Sequence, residues 1–387
     1  SYSTEMHYIG SQTDYETVCS CGYTAELVPA DGEFYENGFS YNVIDGKAVL
    51  MAYHYKDETD VIIPENLGVY PVSSVAPKAF INCECKTLYI PSTLEKFEFT
   101  CINVLNYLEK ITVSADNPYF SSDNKGILYN KDKTELILCP KKSPLTAITI
   151  SSTIKEIGAY AFAYNEKLKT VIIPSNVETI RFGAFDSSNI TMVTIKEGLK
   201  YLGDCVFHSC LSLNSVTLPE SLEYIGWDAF VYTPFIKNAD VYDEDGVFYY
   251  GDYLLASLPD SEKTYYKIKE GTRLVAGAAL VRWNSLKEVV IPKSAEFVNG
   301  CAFSACESLQ KITAGSGSQN FSTVDGVLYN KDKTVLVSYP AGKDNICYSV
   351  PQGVTKINEW AFLYAVNLRN VNVPISVTNI GVNAFDM

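Results

Sequence analysis

Residues 157–174 read IGAYAFAYNEKLKTVIIP, and most of the chain is a variation on that line. The same register returns as LGDCVFHSCLSLNSVTLP from Leu202, VAGAALVRWNSLKEVVIP from Val275 and INEWAFLYAVNLRNVNVP from Ile357. The second half is L-x-x-V-x-I-P. Its alternation at Val171 and Ile173 is strand periodicity, one side chain inward and the next outward. Pro174 has no N–H to give to a ladder, so the strand closes there. In the first half, I-G-x-x-A-F, the glycine predicts a tight bend. The alanine allows close approach, and the phenylalanine is an anchor.

The anchor and its variants fall at Phe80, Ile102, Phe162, Phe185, Phe207, Phe230, Leu280, Phe303, Phe362 and Phe385. The unit is therefore 22 or 23 residues long, with three interruptions. One unit cannot bury its own apolar face, but stacked units can, each ring resting on the ring of the rung before. The expectation is a solenoid with a parallel β-sheet along one face and short helical or irregular turns opposite. Strands are predicted at 61–63, 88–90, 111–113, 148–150, 171–173, 193–195, 216–218, 266–268, 289–291, 312–314, 348–350 and 371–373. Twelve rungs at ~4.8 Å each would span roughly 55–60 Å.

The interruptions repeat as well. Residues 124–140 (NKGILYNKDKTELILCP) and 324–340 (VDGVLYNKDKTVLVSYP) each place a polar Asn-Lys-Asp-Lys turn between β-rich segments, which predicts a hairpin. Residues 245–259 and 39–53 read as two more, the last suited to capping the first strand edge. Residues 1–38 do not follow the repeat and stay unassigned, so the array is expected over 39–387.

Composition narrows the function. Against 31 Lys+Arg stand 45 Asp+Glu, a formal net charge of -14. That balance disfavours nucleic acid, which needs cations to displace counterions, and anionic membrane surfaces. No apolar stretch approaches the ~18 residues that span a bilayer. The chain starts at Ser1 and reads as a processed or trimmed fragment.

The repeat unit, the opening V-I-D-G-K-A hairpin, the D-G-V-L-Y-N-K-D-K-T hairpin and the A-F-x-x-T-P-F stretch at 229–235 together resemble the bacterial surface antigen A-like (Treponema pallidum-type) leucine-rich repeats. The resemblance covers residues 39–387. It implies a leucine-rich-repeat solenoid, secreted or attached to the bacterial cell surface, and a role in adhesion to host or neighbouring cells. The array stops at Phe385-Asp386-Met387 with its last unit half finished, so a C-terminal cap or further domain is expected beyond Met387. Residues 15–30 faintly resemble Cys-containing segments in the tails of gut-bacterial surface proteins.

Few residues suggest chemistry. Six of the 11 cysteines, Cys83, Cys101, Cys205, Cys210, Cys301 and Cys306, recur beside the anchor, and Cys85 replaces a repeat leucine. Repeat register makes them small core side chains, with a bridge between adjacent rungs as the alternative. Cys205, His208 and Cys210 form C-x-x-H-x-C, and Cys19 and Cys21 lie near His7. Neither set supplies four ligands at zinc spacing, so no metal site is assigned. The acidic run Asp243–Asp245 precedes Gly246 and reads as a solvated turn. There is no catalytic constellation and no cofactor motif, so the chain is expected not to be an enzyme.

What remains is surface. Outward positions down the stack are Thr87/Tyr89, Lys110/Thr112, Thr170/Ile172, Met192/Thr194, Ser215/Thr217, Glu288/Val290, Lys311/Thr313 and Asn370/Asn372. From these, Tyr89, Thr112, Thr170, Ile172, Met192, Thr194, Ser215, Thr217, Glu288, Thr313, Asn370 and Asn372 form the candidate partner-binding face. Such ladders also simply suit strands. The hairpin tyrosines Tyr129, Tyr249, Tyr250, Tyr253 and Tyr329 are the rival site, with packing on the flank as their plain alternative. The expected partner is a protein or glycan, bound by a monomer. Alternatives are an accessory glycan- or cell-wall-binding region of a larger surface protein, or a structural spacer.

Overall fold

The computed structural model describes residues 4–8, 15–19, 34–77, 79–97, 105–237, 242–260 and 262–386. Two compact units divide the chain: residues 1–148 with 164–168, and residues 149–163 with 169–387. Each is a run of β-solenoid coils, about 14 turns in all with ~23-residue repeats. The described helix Pro234–Lys237 has four residues. The side opposite the sheet is therefore built of turns rather than helices.

All twelve expected strands form, each beginning one residue before its predicted start. In the larger unit Thr170–Ile173, Met192–Ile195 and Ser215–Thr217 pair in parallel, with Val171, Val193 and Val216 in line. Glu288–Ile291 lies between Tyr265–Lys267 and Lys311–Ala314, and Cys347–Ser349 pairs with Asn370–Asn372. The smaller unit places Thr87–Ile90 between Asp60–Ile62 and Lys110–Val113. Alternation holds: Val171 and Ile173 are buried, while Thr170 and Ile172 are half-buried.

A second row of strands was not expected. The I-G half of the unit forms two-residue strands, Glu156–Ile157, Thr179–Ile180, Tyr201–Leu202 and Tyr224–Ile225, paired in parallel rung on rung. Leu274–Val275 pairs likewise with Phe297–Val298, and Lys356–Ile357 with Asn379–Ile380. Two residues are too few for alternation to declare itself in sequence.

The A-F turn closes each coil. In most coils the residues two before and two after the anchor take the left-handed conformation, as at Cys205 (φ 55°) and Ser209 (φ 55°) around Phe207. For a residue with a Cβ that region costs about 1–2 kcal/mol. The next rung compensates, since the N–H groups of Cys205, Phe207 and Ser209 donate to the carbonyls of Trp227 (2.8 Å), Ala229 (2.8 Å) and Val231 (2.9 Å). The repeat glycine does a different job from the predicted bend. Gly226 is not left-handed; a Cβ there would strike the Asp204 backbone of the preceding rung. The residue is glycine because rungs must touch at that corner.

Rings fill the core. Phe162 stacks on Phe185 at 4.9 Å, Phe185 on Phe207 at 5.3 Å and Phe207 on Phe230 at 5.5 Å. Farther along, Phe362 stacks between Tyr339 (5.1 Å) and Phe385 (5.0 Å). Some polar groups enter the interior with a full set of partners. Asn117, fully buried, donates to the carbonyls of Pro91 (2.7 Å) and Leu94 (2.9 Å). Its Oδ1 accepts from the N–H groups of Tyr119 (2.8 Å) and Phe120 (2.7 Å).

The hairpins extend the second row. Tyr253–Ser257 pairs antiparallel with Val247–Tyr250 and in parallel with Leu274–Val275. Val335–Ser338 and Lys47–Tyr53 do the same for Lys356–Ile357 and Tyr70–Val75. Two hairpins also seal the first row. The Ile111 N–H donates to Gly126 O (3.1 Å) and the Val113 N–H to Ser122 Oγ (3.0 Å). Their counterparts are Ile312 to Gly326 (2.8 Å) and Ala314 to Thr323 Oγ1 (2.8 Å). Groups that would leave a strand edge open are thus occupied. In the unassigned N-terminal segment, Thr4–Tyr8 pairs antiparallel with Tyr15–Cys19.

Candidate functional site

The predicted face exists as separate ladders, because hairpins interrupt the first row. In one ladder Thr170, Met192 and Ser215 stand in register beside Ile172, Thr194 and Thr217. Met192, Ser215 and Thr217 are exposed, and Thr170, Ile172 and Thr194 are half-buried. In the next, Thr313 donates to Glu288 Oε1 at 2.6 Å and Lys311 pairs with the same carboxylate at 3.0 Å. These contacts hold the Glu288 carboxyl below its ordinary range, Thr313 contributing most. Asn370 and Asn372 are exposed beside Cys347 and Ser349, with Asn372 Nδ2 donating to Ser349 Oγ at 3.0 Å. Tyr89 and Thr112 are neighbours in the smaller unit. The twelve residues therefore form four patches rather than one strip.

The rival site fails for three of its five tyrosines. Tyr129, Tyr253 and Tyr329 are buried. Tyr253 donates to Pro219 O at 2.6 Å, and Tyr129 to Asp123 at 3.1 Å. The hydroxyls of Tyr329 and Tyr348 bond each other, as do those of Tyr249 and Tyr266 at 3.0 Å. A Tyr paired in this way bolts its hairpin to the following strand.

The acidic run is also structural. Asp243 accepts from the N–H groups of Asp245 (3.0 Å) and Val247 (2.9 Å) and pairs with Lys269 at 2.6 Å. Burial pushes its carboxyl up, but Lys269 and the backbone donors outweigh that and leave it lowered.

All eight described cysteines are free. Cys210 Sγ lies 3.0 Å from Phe185 O and Cys306 Sγ 3.2 Å from Leu280 O, so both point into the stack. His208 turns to Asp186 at 3.1 Å and does not converge with Cys210. Among the described residues no three His, Cys, Asp or Glu side chains group for a metal. The side chains of His7, Cys19 and Cys21 lie outside the described residues. Burial pushes the thiols of Cys205 and Cys306 up to about 12 and that of Cys210 to about 11, whereas Cys347 is exposed. Native-state thiol labelling at pH 8 should therefore lose one fast-reacting equivalent in Cys347→Ser and none in Cys210→Ser. Loss of a fast equivalent in the latter would contradict the packed-thiol core.

The structure adds a site that sequence reasoning missed. In the larger unit the second row bounds a cavity of about 350 Å³. Tyr201, Tyr224 and Phe297 line it, with Glu223, Glu296, Lys356 and Glu359 among its charged groups. Tyr201 and Tyr224 stack at 4.4 Å with an interplanar angle of 7°. The Tyr224 hydroxyl donates to Asp204 Oδ1 at 3.1 Å and lies 3.4 Å from Glu359 Oε2. Trp360 Nε1 donates to Asp204 Oδ2 at 3.3 Å, and the Trp227 N–H to Oδ1 at 2.8 Å. Burial raises the Asp204 carboxyl above its usual range despite these donors. Burial raises Glu359 too, and the negative charge of Asp204 adds to it. The clue in sequence was the aromatic residue at one repeat position in three rungs, Tyr201, Tyr224 and Phe297.

A raised carboxyl holds its proton more tightly folded than unfolded, so it lowers stability as pH rises above the unfolded value of about 4.3. Glu359→Gln should therefore raise the melting temperature at pH 7, with the gain vanishing at pH 4 and below. A gain independent of pH would contradict the buried-pair reading.

The BspA type leucine rich repeat region matches residues 52–136, 138–253, 276–333 and 343–387, as six copies. The chain belongs to the BspA-type leucine-rich-repeat family. No curated protein matches it. Solved structures do resemble this BspA-type chain. A leucine-rich repeat protein from Eubacterium ventriosum is 21% identical over 79% of this chain and 64% of its own, with a TM-score of 0.44. The BspA-type chain thus spans less than two-thirds of that relative. A leucine rich cell surface protein from Faecalibacterium prausnitzii is 23% identical over 91% and 73%, with a TM-score of 0.30. The Treponema pallidum leucine rich repeat protein is 15% identical over 90% and 85%, with a TM-score of 0.16.

Proposed function

We propose that this BspA-type chain is a non-catalytic recognition protein of the bacterial cell surface that holds a macromolecular partner, a protein or glycan, on its first-row ladders. The observation that carries this reading is the register of Thr170, Met192, Ser215, Ile172, Thr194 and Thr217. Together they form an uncharged surface of hydroxyls and apolar atoms on a rigid parallel sheet. Such a surface offers hydrogen bonds without the desolvation cost of buried charge. Several patches on one chain add avidity to weak individual contacts. Family membership supports the surface location.

The test is an array of host matrix proteins and glycans probed with the wild-type chain and with the double variant Thr194→Lys/Thr217→Lys. Binding that falls at least about tenfold in the variant, a loss of ~1.4 kcal/mol, supports the reading. Binding unchanged by the two lysines, or no ligand at all, overturns it.

A further inference from the structure

We propose that the second-row cavity of the larger unit binds an amino sugar carrying a free, protonated amine. Its walls combine the ring surfaces of Tyr201, Tyr224 and Phe297 with the carboxylates of Glu223, Glu296 and Glu359. Asn330 and Asn358 add amide groups. Volume and composition suit a small ligand: about 350 Å³, apolar side chains such as Leu274 and Val298, and a few convergent polar groups.

Charge selects the ligand. Glu223, Glu296 and Glu359 line the wall with one lysine, Lys356, and Arg273 pairs with Glu296 at 3.7 Å from outside it, which leaves the site net negative. Asp204 stands behind it, joined to Glu359 through the Tyr224 hydroxyl. Every hydrogen-bond partner of Asp204 and Glu359 among the described residues is a neutral donor: Tyr224, Trp227 and Trp360. Two half-buried carboxylates side by side are unfavourable; Lys356 only partly offsets burial and their mutual repulsion at Glu359, and the raised affinity of both for protons expresses that. An ammonium group supplies the missing charge and three donors. Aromatic walls add cation–π attraction and a surface for the apolar face of a pyranose.

Sugar is favoured over a lysine side chain by the rest of the wall. The amide of Asn358 suits a ring hydroxyl, which a four-carbon aliphatic stem would leave unanswered, whereas the Asn330 amide already bonds Thr334 and the Val335 N–H. The site is separate from the first-row ladders, so it stands or falls independently of the recognition surface proposed above.

The test is calorimetric titration of the whole chain with three probes: a β-1,4-linked glucosamine tetramer, the same tetramer fully N-acetylated, and Nα-acetyl-lysine amide. Acetylation removes the charge and keeps the sugar. A charge-assisted hydrogen bond is stronger than a neutral one, so the free-amine tetramer should bind at least about tenfold more tightly than the acetylated one. Glu359→Gln, which keeps the shape and removes one carboxylate, should weaken the free-amine tetramer by a similar factor while its thermal unfolding stays cooperative. Equal binding of the two tetramers overturns the proposal. So does binding of the lysine amide as tight as that of the glucosamine tetramer, no binding by any probe, or indifference to Glu359→Gln.

Discussion

Phe207→Ala should destabilise the larger unit by ~3–5 kcal/mol, the range for truncating a fully packed phenylalanine. The ring has no exposed surface and lies between Phe185 and Phe230 at 5.3 and 5.5 Å. Its removal opens a void that both neighbours line. The rungs on either side are held by the same stack and by the bond from the Phe207 N–H to Ala229 O, so they cannot collapse into the gap without losing their own register. In urea the midpoint should fall with the slope little changed. Phe385 serves as the internal control. Among the described residues it stacks on Phe362 alone, and it is half-buried, so Phe385→Ala should cost clearly less. Equal losses at the two positions would contradict a core built from continuous ring stacking.

Asn117→Ala should cost a comparable ~3–5 kcal/mol in the smaller unit, by a different mechanism. The side chain buries little apolar surface; its value is four short hydrogen bonds to backbone at a site with no exposure. Removing it leaves two carbonyls and two N–H groups without partners, each worth about 1–3 kcal/mol when unsatisfied, reduced in sum by any water that enters. Asn117→Asp is the sharper comparison. It keeps both acceptors for Tyr119 and Phe120 but sets an oxygen against the carbonyls of Pro91 and Leu94. It should therefore be as damaging as alanine at neutral pH. Loss below 1 kcal/mol in either variant would show that the backbone can satisfy itself there.

How much of this was legible beforehand follows from length scale. The first-row strands, the ring stack and the inward-facing thiols are written once per unit by residues whose type alone decides burial, such as Val171, Phe185 and Cys210. Repetition made them readable. The two-residue strands at Tyr201–Leu202 and Tyr224–Ile225 are too short for a period, and only tertiary pairing makes them strands. The repeat glycine was assigned to a bend because glycine permits one. The left-handed positions fall instead on residues such as Cys205 and Ser209, held by hydrogen bonds to the next rung that no local rule anticipates. Behind the cavity a hydrogen bond joins residues as distant as Asp204 and Trp360. Carboxylates 155 positions apart, Asp204 and Glu359, show no relation in a linear reading.

The sealing hairpins bear on how such a chain finds its own order. Neighbouring units present nearly interchangeable inner side chains, as at Val171, Val193 and Val216. A strand displaced by one whole unit would keep its buried and outward residues on the correct sides, so alternation offers no protection against that error. A displaced strand next to a hairpin meets a different test. At Gly126 and Gly326 the neighbouring place is already taken by a hairpin segment bonded to that strand edge, which a displaced unit strand would have to expel. The hairpins thus divide a repetitive chain into short stretches that must each be counted correctly. Mispairing is confined within a stretch, where reclosing after a mistake requires only a few strands to part.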